Sequence, residues 1–198
     1  MKKYFGFFVL LIVASHSAWA FLSQGYNIEQ LSQKADMIFI GEVLEVHESP
    51  ANSTDYPYVE VYFKVFESLK GEVPAVYSFR QFAPKAGKQF KLMGMGKNVY
   101  NPGEKLVMFL GSAGSKGLSA PIDLQLFQIQ TKSNIQRDMD QALILNKQLG
   151  EKPAGRLFQN LQNKKTLEVM EKISKKTKLQ RPGVQFQDFR ELIQASLQ

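Results

Sequence analysis

Residues 58–67 alternate between apolar and polar or amphipathic side chains with a period of two. The apolar members are Val59, Val61, Phe63 and Val65, and those between them are Tyr58, Glu60, Tyr62 and Lys64. Because successive side chains of a strand point to opposite faces, this pattern predicts a strand with one face in a core and the other in water. A strand of this kind needs partners, so the chain is expected to contain an antiparallel sheet.

Four further segments have strand character. Residues 37–46 begin with a continuous apolar run and then alternate, which is typical of a strand buried on both faces at its first end. Turn signals at Gly71 and at Asn101-Pro102-Gly103 separate the later segments. The five predicted strands lie at about 37–46, 58–67, 76–82, 105–110 and 124–130. Such strands must close into a barrel or hide one face of a sheet against helices. Their apolar faces predict a core of Ile38, Ile40, Val59, Val61, Phe63, Val65, Val107 and Phe109.

Helical periodicity replaces the period of two after residue 131. Apolar residues recur at intervals of three and four over 135–149, and shorter helical patterns follow at 157–161, 167–173 and 186–193. The predicted fold class is therefore α+β, with a small five-stranded antiparallel barrel followed by a helical C-terminal region.

A short helix over 28–35 is predicted to precede the first strand. Asn27 is a suitable N-cap, and Gln30 is placed to bond back to its amide. The predicted domains are thus a barrel domain at 21–131 and a basic helical region at 132–198 that packs on it.

The first twenty residues have the three parts of a secretory signal peptide. Lys2 and Lys3 precede an apolar run over 4–14, and small residues stand at Ala18 and Ala20. The run is shorter than the roughly 20 apolar residues of a membrane-spanning helix. We expect cleavage of residues 1–20, a periplasmic or secreted mature protein, and no integral membrane segment after cleavage.

The sequence contains no cysteine. This excludes a lipid attached through cysteine, disulfides, thiol catalysis and zinc bound by cysteine. An exported chain of this kind must be held together by its apolar core.

Several short motifs follow one another in a characteristic order. They are ADMIFIGEV at 35–43, FKVFESLKGE at 63–72, PGEKLVMFL at 102–110 and, at the end of the chain, GVQFQDFR at 183–190. In this order they resemble a group of exported bacterial proteins of uncharacterised function. The resemblance implies an OB-like barrel, similar to the netrin and tissue-inhibitor-of-metalloproteinase modules, over about 28–131. The helical residues at 135–178 depart from the family pattern.

The segment 73–103 has no acidic residue but combines five cations with aromatic rings. OB-type barrels bind extended ligands across a strand face and neighbouring loops, with cations for charge and rings for stacking. The predicted ligand-binding residues are Arg80, Phe82, Lys85, Lys88, Phe90, Lys91 and Lys97. The commoner alternative is a surface loop whose rings fill the barrel and whose lysines keep it soluble.

A second basic feature lies in the helical region. Lysines at 164, 165, 172, 175, 176 and 178 are predicted opposite Leu167, Met170 and Ile173. Such a helix could lie on an anionic membrane surface. The more common arrangement packs the apolar stripe on the protein's own domain and leaves the lysines in water.

Residues for catalysis are scarce. His47 is the single histidine beyond the leader, and it shares a predicted strand face with Glu45, which gives two of the three or four ligands of a zinc site. The same scarcity argues against a Ser-His-Asp hydrolase. Carboxylates such as Glu42 and Glu60 could serve a glycosidase, but their spacing does not favour it. We therefore predict no catalytic residue, no metal and no cofactor.

These features predict an exported, non-enzymatic binding or interaction module of the cell envelope. Its expected partner is an anionic polymer, a glycan or an envelope protein, and nucleic acid is not expected outside the cytoplasm. Two alternatives stay open, namely a carboxylate-dependent hydrolase and a structural partner of another secreted protein.

Overall fold

A computed structural model describes residues 26–49, 57–82, 85–86, 89–90, 100–119, 121–122, 127–130, 142–146, 155–179 and 184–198. The helices are α1 (Ile28–Lys34), α2 (Lys164–Leu179) and α3 (Phe186–Ser196), with a 3-10 turn at Gly155–Phe158. The strands are β1 (Met37–Glu48), β2 (Tyr58–Lys70), β3 (Val76–Phe82), β4 (Lys85–Ala86), β5 (Gln89–Phe90), β6 (Lys105–Leu110), β7 (Phe127–Gln130) and β8 (Leu143–Asn146).

Six of these strands form one antiparallel sheet in the order β3-β2-β1-β6-β7-β8, and β4 pairs with β5 in a separate ladder. All five predicted strands are present, as β1, β2, β3, β6 and β7, and the α+β class is confirmed. The described ladders leave β3 and β8 at the two ends of the sheet. A closed barrel is therefore not confirmed.

The prediction of a helix over 135–149 is wrong where the structure describes that segment. Leu143–Asn146 form β8, which pairs antiparallel with Phe127–Gln130 of β7. A run of three apolar residues fits a short buried strand as well as a helix, and pairing with a distant strand is a contact that local periodicity does not contain. The rest of that predicted helix lies outside the described residues.

The other helical predictions correspond to elements of the structure. The patterns at 28–35, 167–173 and 186–193 fall on α1, α2 and α3, and the one at 157–161 overlaps the 3-10 turn. The predicted capping of α1 is confirmed, because the Gln30 amide donates to Asn27 Oδ1 at 2.9 Å and the Asn27 amide donates to Gln30 Oε1 at 3.0 Å.

The start of α1 is tied to the chain before α2, more than 130 residues away. Asn27 Nδ2 donates to the carbonyl oxygens of Gln159 and Asn160, both at 3.2 Å. The buried carboxylate of Glu29 accepts the backbone amides of Gln162 at 2.8 Å and Asn163 at 2.9 Å. We call these contacts of Asn27 and Glu29 the polar latch.

The sheet separates two apolar cores, because the first half of β1 is buried on both faces as the sequence predicts. The helix-side core joins one face of β1, β6, β7 and β8 to the helices; its largest members include Ile28, Leu31, Ile38, Ile40, Phe109, Phe127 and Phe189. The ring-rich core lies on the other face; its members are Phe39, Val43, Val59, Val61, Phe63, Phe79, Tyr100, Leu106, Met108 and Leu110.

The sequence predicts a single apolar core, but the structure has two. Of the eight predicted core residues, seven are buried and Val65 is partly buried. Ile38, Ile40, Val107 and Phe109 belong to the helix-side core, whereas the β2 residues belong to or pack against the ring-rich core. Alternate residues of a strand face opposite ways, so a strand buried on both faces contributes to two cores.

Gly41 allows β1 and β2 to approach closely at an irregularity in their pairing. A Cβ atom there would lie 2.9 Å from the Lys64 carbonyl oxygen and 3.3 Å from the rings of Phe39 and Phe63. We expect Gly41→Ala to lower the free energy of unfolding, measured in urea, by about 1–3 kcal/mol through overpacking.

Gly114→Ala is the matched control for this prediction, because the nearest atom to its added Cβ would be 3.8 Å away. It should change the free energy of unfolding by less than about 0.5 kcal/mol. Equal effects of the two substitutions would contradict the close approach at Gly41.

The loop that follows β6 returns to the far edge of β3. Near its start, the amide and hydroxyl of Ser112 donate to Asp36 Oδ2 at 2.7 and 2.6 Å, and these bonds lower the pKa of the Asp36 carboxyl. Near its end, Leu118 forms a parallel bridge with Arg80, and the Ser119 amide donates to the Arg80 carbonyl at 2.6 Å. We call residues 111–119 the return loop. It contacts both the turn between α1 and β1, through Asp36, and strand β3, through Arg80.

Candidate ligand-binding face

The predicted ligand-binding residues fall into three groups in the structure. Arg80 and Phe82 lie on β3 and are exposed, with half of the Arg80 side chain accessible to solvent. Lys85 and Phe90 pair with each other through the backbone in the β4–β5 ladder. The remaining three, Lys88, Lys91 and Lys97, lie outside the described residues.

Several rings of the same segment are core residues. Phe79 and Tyr100 are buried in the ring-rich core, and Tyr77 packs against it. The Tyr100 hydroxyl donates to Oε1 of the buried Gln81 at 2.6 Å, and burial raises the pKa of Tyr100. For these three rings, the structure agrees with the alternative interpretation that they fill the core.

The polar side of β2 forms an exposed face together with residues of β1 and β3. In register across the strands, Tyr58 lies opposite Phe82, Glu60 lies between His47 and Arg80, and Tyr62 lies between Glu45 and Ser78. Residues directly opposite each other in an antiparallel ladder share a face. We call this set the aromatic face; it consists of Glu45, His47, Tyr58, Glu60, Tyr62, Ser78, Arg80 and Phe82.

The aromatic face lies on the same side of the sheet as the helices, but at the part of β2 that the helices do not cover. Phe66, on the same side of β2, packs against the helix-side core. Lys64 and Lys105 approach the Phe66 ring, with their ammonium groups 6.0 and 5.9 Å from its centroid, and Lys64 is exposed. Toward the start of β2 the same side becomes solvent-accessible, so the sheet presents rings to water there.

One part of the aromatic face is organised around Arg80. Its guanidinium carbon lies 5.0 Å from the centre of the Tyr58 ring, a cation–π distance, and its Nε is 3.3 Å from Glu60 Oε1. The Glu60 side chain is only 20% exposed. The cation thus contacts both an aromatic ring and a largely buried carboxylate, with Phe82 two residues further along β3.

A second part of the face is organised around His47. Its Nε2 lies 2.9 Å from Glu45 Oε2, and its ring centre lies 5.2 Å from that of Tyr62. The pairing of His47 with Glu45 follows the spacing seen in the sequence. Both side chains are more than half exposed, and in the part of the chain that the structure describes, no three histidine or acidic side chains come together as a metal site.

The basic helix α2 packs on its own domain through one side. Ile173 is buried, and Val169 and Met170 pack against the helix-side core. Lys176 Nζ lies 2.8 Å from Asp188 Oδ1 of α3, and this contact raises the pKa of Lys176. The prediction that Leu167 shares the packed side is wrong, because Leu167 is 47% exposed.

None of the helices in the described segments combines the length and the apolar composition needed to cross a bilayer. Comparison of the chain with protein-family models, with curated proteins and with solved structures found no match. The resemblance to exported OB-like proteins therefore stays a prediction.

Tyr58, Tyr62 and His47 are not among the binding residues that the sequence predicts. The sequence pattern places the two tyrosines only on the solvent-facing side of a strand. The sequence does contain a signal for such a face. Two aromatic residues four positions apart on the polar side of a half-buried strand must lie on the same exposed face. Their neighbours across the sheet depend on register, which the sequence pattern does not give.

Proposed function

We propose that this protein is an exported, non-enzymatic binding module of the cell envelope, periplasmic or secreted, that holds a glycan-like or anionic partner on its aromatic face. The observation that carries the proposal is the ordered set of rings on the exposed side of β2 and β3, with Arg80 stacked on Tyr58 and His47 against Tyr62. The leader at residues 1–20 supports export.

The position of this face supports a binding role. OB-type barrels bind extended ligands across their second and third strands and the adjoining loops. Tyr58 and Tyr62 lie on the second strand of this chain, and Phe82 lies on the third. The return loop is held beside them, since the Ser119 amide bonds the Arg80 carbonyl.

The finer proposal of a closed OB-like barrel has support from two isolated bridges. Leu118 bridges β3 in parallel, and Pro121 bridges Leu110 of β6 in antiparallel orientation. A segment that contacts both β3 and β6 would join the two sides of the ring-rich core. In that arrangement β3 would not be a free edge, which is how barrels avoid exposed backbone.

The test uses the mature protein, residues 21–198, and the double variant Tyr58→Ala/Arg80→Ala. Ligands are found by thermal shift with heparin and with neutral oligosaccharides, and affinities are then measured by calorimetry. Stacked aromatic contacts contribute about 1–3 kcal/mol each, so we expect the double variant to bind at least about tenfold more weakly.

Leu167→Ala is the control, because Leu167 is an exposed apolar residue of helix α2 and does not belong to the sheet. It should bind as the unaltered protein does. Replacement of Lys85, Lys88 and Lys91 by glutamine tests the contribution of the basic segment to heparin retention. If no ligand in the panel binds, or if the Tyr58→Ala/Arg80→Ala variant binds normally, the proposal is wrong.

A further inference from the structure

We infer that the aromatic face takes an uncharged oligosaccharide several sugar units long, rather than a polyanion. This inference rests on the proposed function, which assigns binding to the same face. It adds the chemical class of the ligand, its minimum length and the way in which it lies on the strands.

The charges of the face argue against a polyanion. Arg80 is its strong cation, and its Nε is already engaged by the Glu60 carboxylate at 3.3 Å. Glu45, paired with His47, adds a second carboxylate in solvent. Proteins that bind polyanions place several cations along the anionic backbone, whereas this face carries one guanidinium and two carboxylates.

The rings are suited to uncharged sugars. The C–H groups on one face of a pyranose carry a small positive charge and meet the negative face of an aromatic ring favourably. Tyr58 is held by the Arg80 guanidinium and Tyr62 by the His47 ring, so both are ordered before a ligand arrives. Rings that are already ordered lose little conformational freedom on binding. The carboxylates of Glu45 and Glu60 can accept hydrogen bonds from sugar hydroxyls.

The spacing of the rings sets the length of the ligand. Tyr58 and Tyr62 lie on one face of β2, four residues apart, which corresponds to about 13 Å along a strand. A ligand that stacks on both must extend along β2 over that distance. A disaccharide can stack on only one of the two tyrosine rings, whereas a hexasaccharide can stack on both. The longer ligand therefore gains affinity, because its two contacts are linked in one molecule.

The experiment measures binding of the mature protein by calorimetry. The neutral probes are cellohexaose, chitohexaose, maltohexaose and mannohexaose, each with its disaccharide, and the anionic probe is heparin. Each titration is done at about 0.05 M and about 0.5 M NaCl, which differ strongly in charge screening. We expect at least one neutral hexasaccharide to bind with equal affinity at both salt concentrations, and its disaccharide to bind at least tenfold more weakly.

Variants of the two tyrosines assign this binding to the rings. Tyr58→Ala and Tyr62→Ala should each weaken hexasaccharide binding about tenfold or more, whereas Tyr58→Phe and Tyr62→Phe, which keep the ring, should stay within about threefold of the unaltered protein. The phenylalanine variants also guard against misfolding, since they preserve the packing of the ring. Leu167→Ala, on α2, again serves as the exposed apolar control.

The possible outcomes separate the two proposals. If heparin alone binds, and its binding is weakened by salt and by Arg80→Ala, the inference of an uncharged ligand is wrong but the proposed function is supported. Equal affinity for the disaccharide and the hexasaccharide would contradict the inference that one ligand stacks on both Tyr58 and Tyr62. If none of the probes binds, both proposals are wrong.

Discussion

Phe63→Ala is expected to lower the free energy of unfolding by about 3–5 kcal/mol, because the substitution leaves a large cavity in the ring-rich core. The Phe63 side chain is fully buried, and its ring lies 5.3 Å from that of Phe39, 6.0 Å from Phe79 and 6.4 Å from Tyr100. Its loss removes contacts with all three rings at once. Urea unfolding followed by near-ultraviolet circular dichroism measures the change.

Phe82→Ala is the matched control, since it removes the same side chain from the neighbouring strand at a position that is 42% exposed. It should cost less than about 1 kcal/mol. Comparable losses in the two variants would contradict the assignment of Phe63 to a closely packed core.

The separation of the two cores can be tested with the milder variants Phe63→Leu and Phe127→Leu. Phe127 belongs to the helix-side core, with its ring 5.6 Å from that of Phe109 and 5.1 Å from that of Phe189. Because the two residues belong to separate clusters of the described core, their effects on the free energy of unfolding should add within about 0.5 kcal/mol. A larger deviation would indicate that the cores act as one.

Glu29→Ala is expected to lower the free energy of unfolding by about 2–4 kcal/mol, because two backbone amides lose a charged acceptor. The Glu29 side chain accepts from both Gln162 and Asn163 at the start of α2, and the residue is 5% exposed. Hydrogen exchange of the two amides should rise in the variant well before the sheet exchanges.

The control for this prediction is Glu29→Gln, which retains one acceptor oxygen and should lose about half as much stability. Glu168→Ala, at an exposed position of α2, should change the free energy of unfolding by less than about 0.5 kcal/mol. If Glu29→Ala is as mild as Glu168→Ala, the polar latch contributes little to stability.

Local signals in the sequence were enough to predict much of the fold. The period of two located β2, the apolar start of the first segment indicated that β1 is buried on both faces, and the Asn27–Gln30 pair predicted the cap of α1. Each of these features depends on residues within about one turn or one strand of each other.

Features that depend on distant pairing could not be predicted in this way. The sequence predicts a helix at β8, because the pairing of this strand with β7 is not encoded in its own apolar run. The division of the core into two parts follows from which strands flank β1. For the candidate site, composition predicts Arg80 and Phe82, but the residues opposite them, Glu60 and Tyr58, and the contact of His47 with Tyr62 depend on strand register.

The polar latch also constrains when the fold can be completed. The partners of Asn27 and Glu29 are more than 130 residues further along the chain, so helix α1 cannot finish docking until most of the polypeptide is in place. Closing so long a loop is entropically costly, and proteins dominated by distant contacts fold slowly. Helix α1 should accordingly be among the last of the described elements to gain protection during refolding, although it comes early in the sequence.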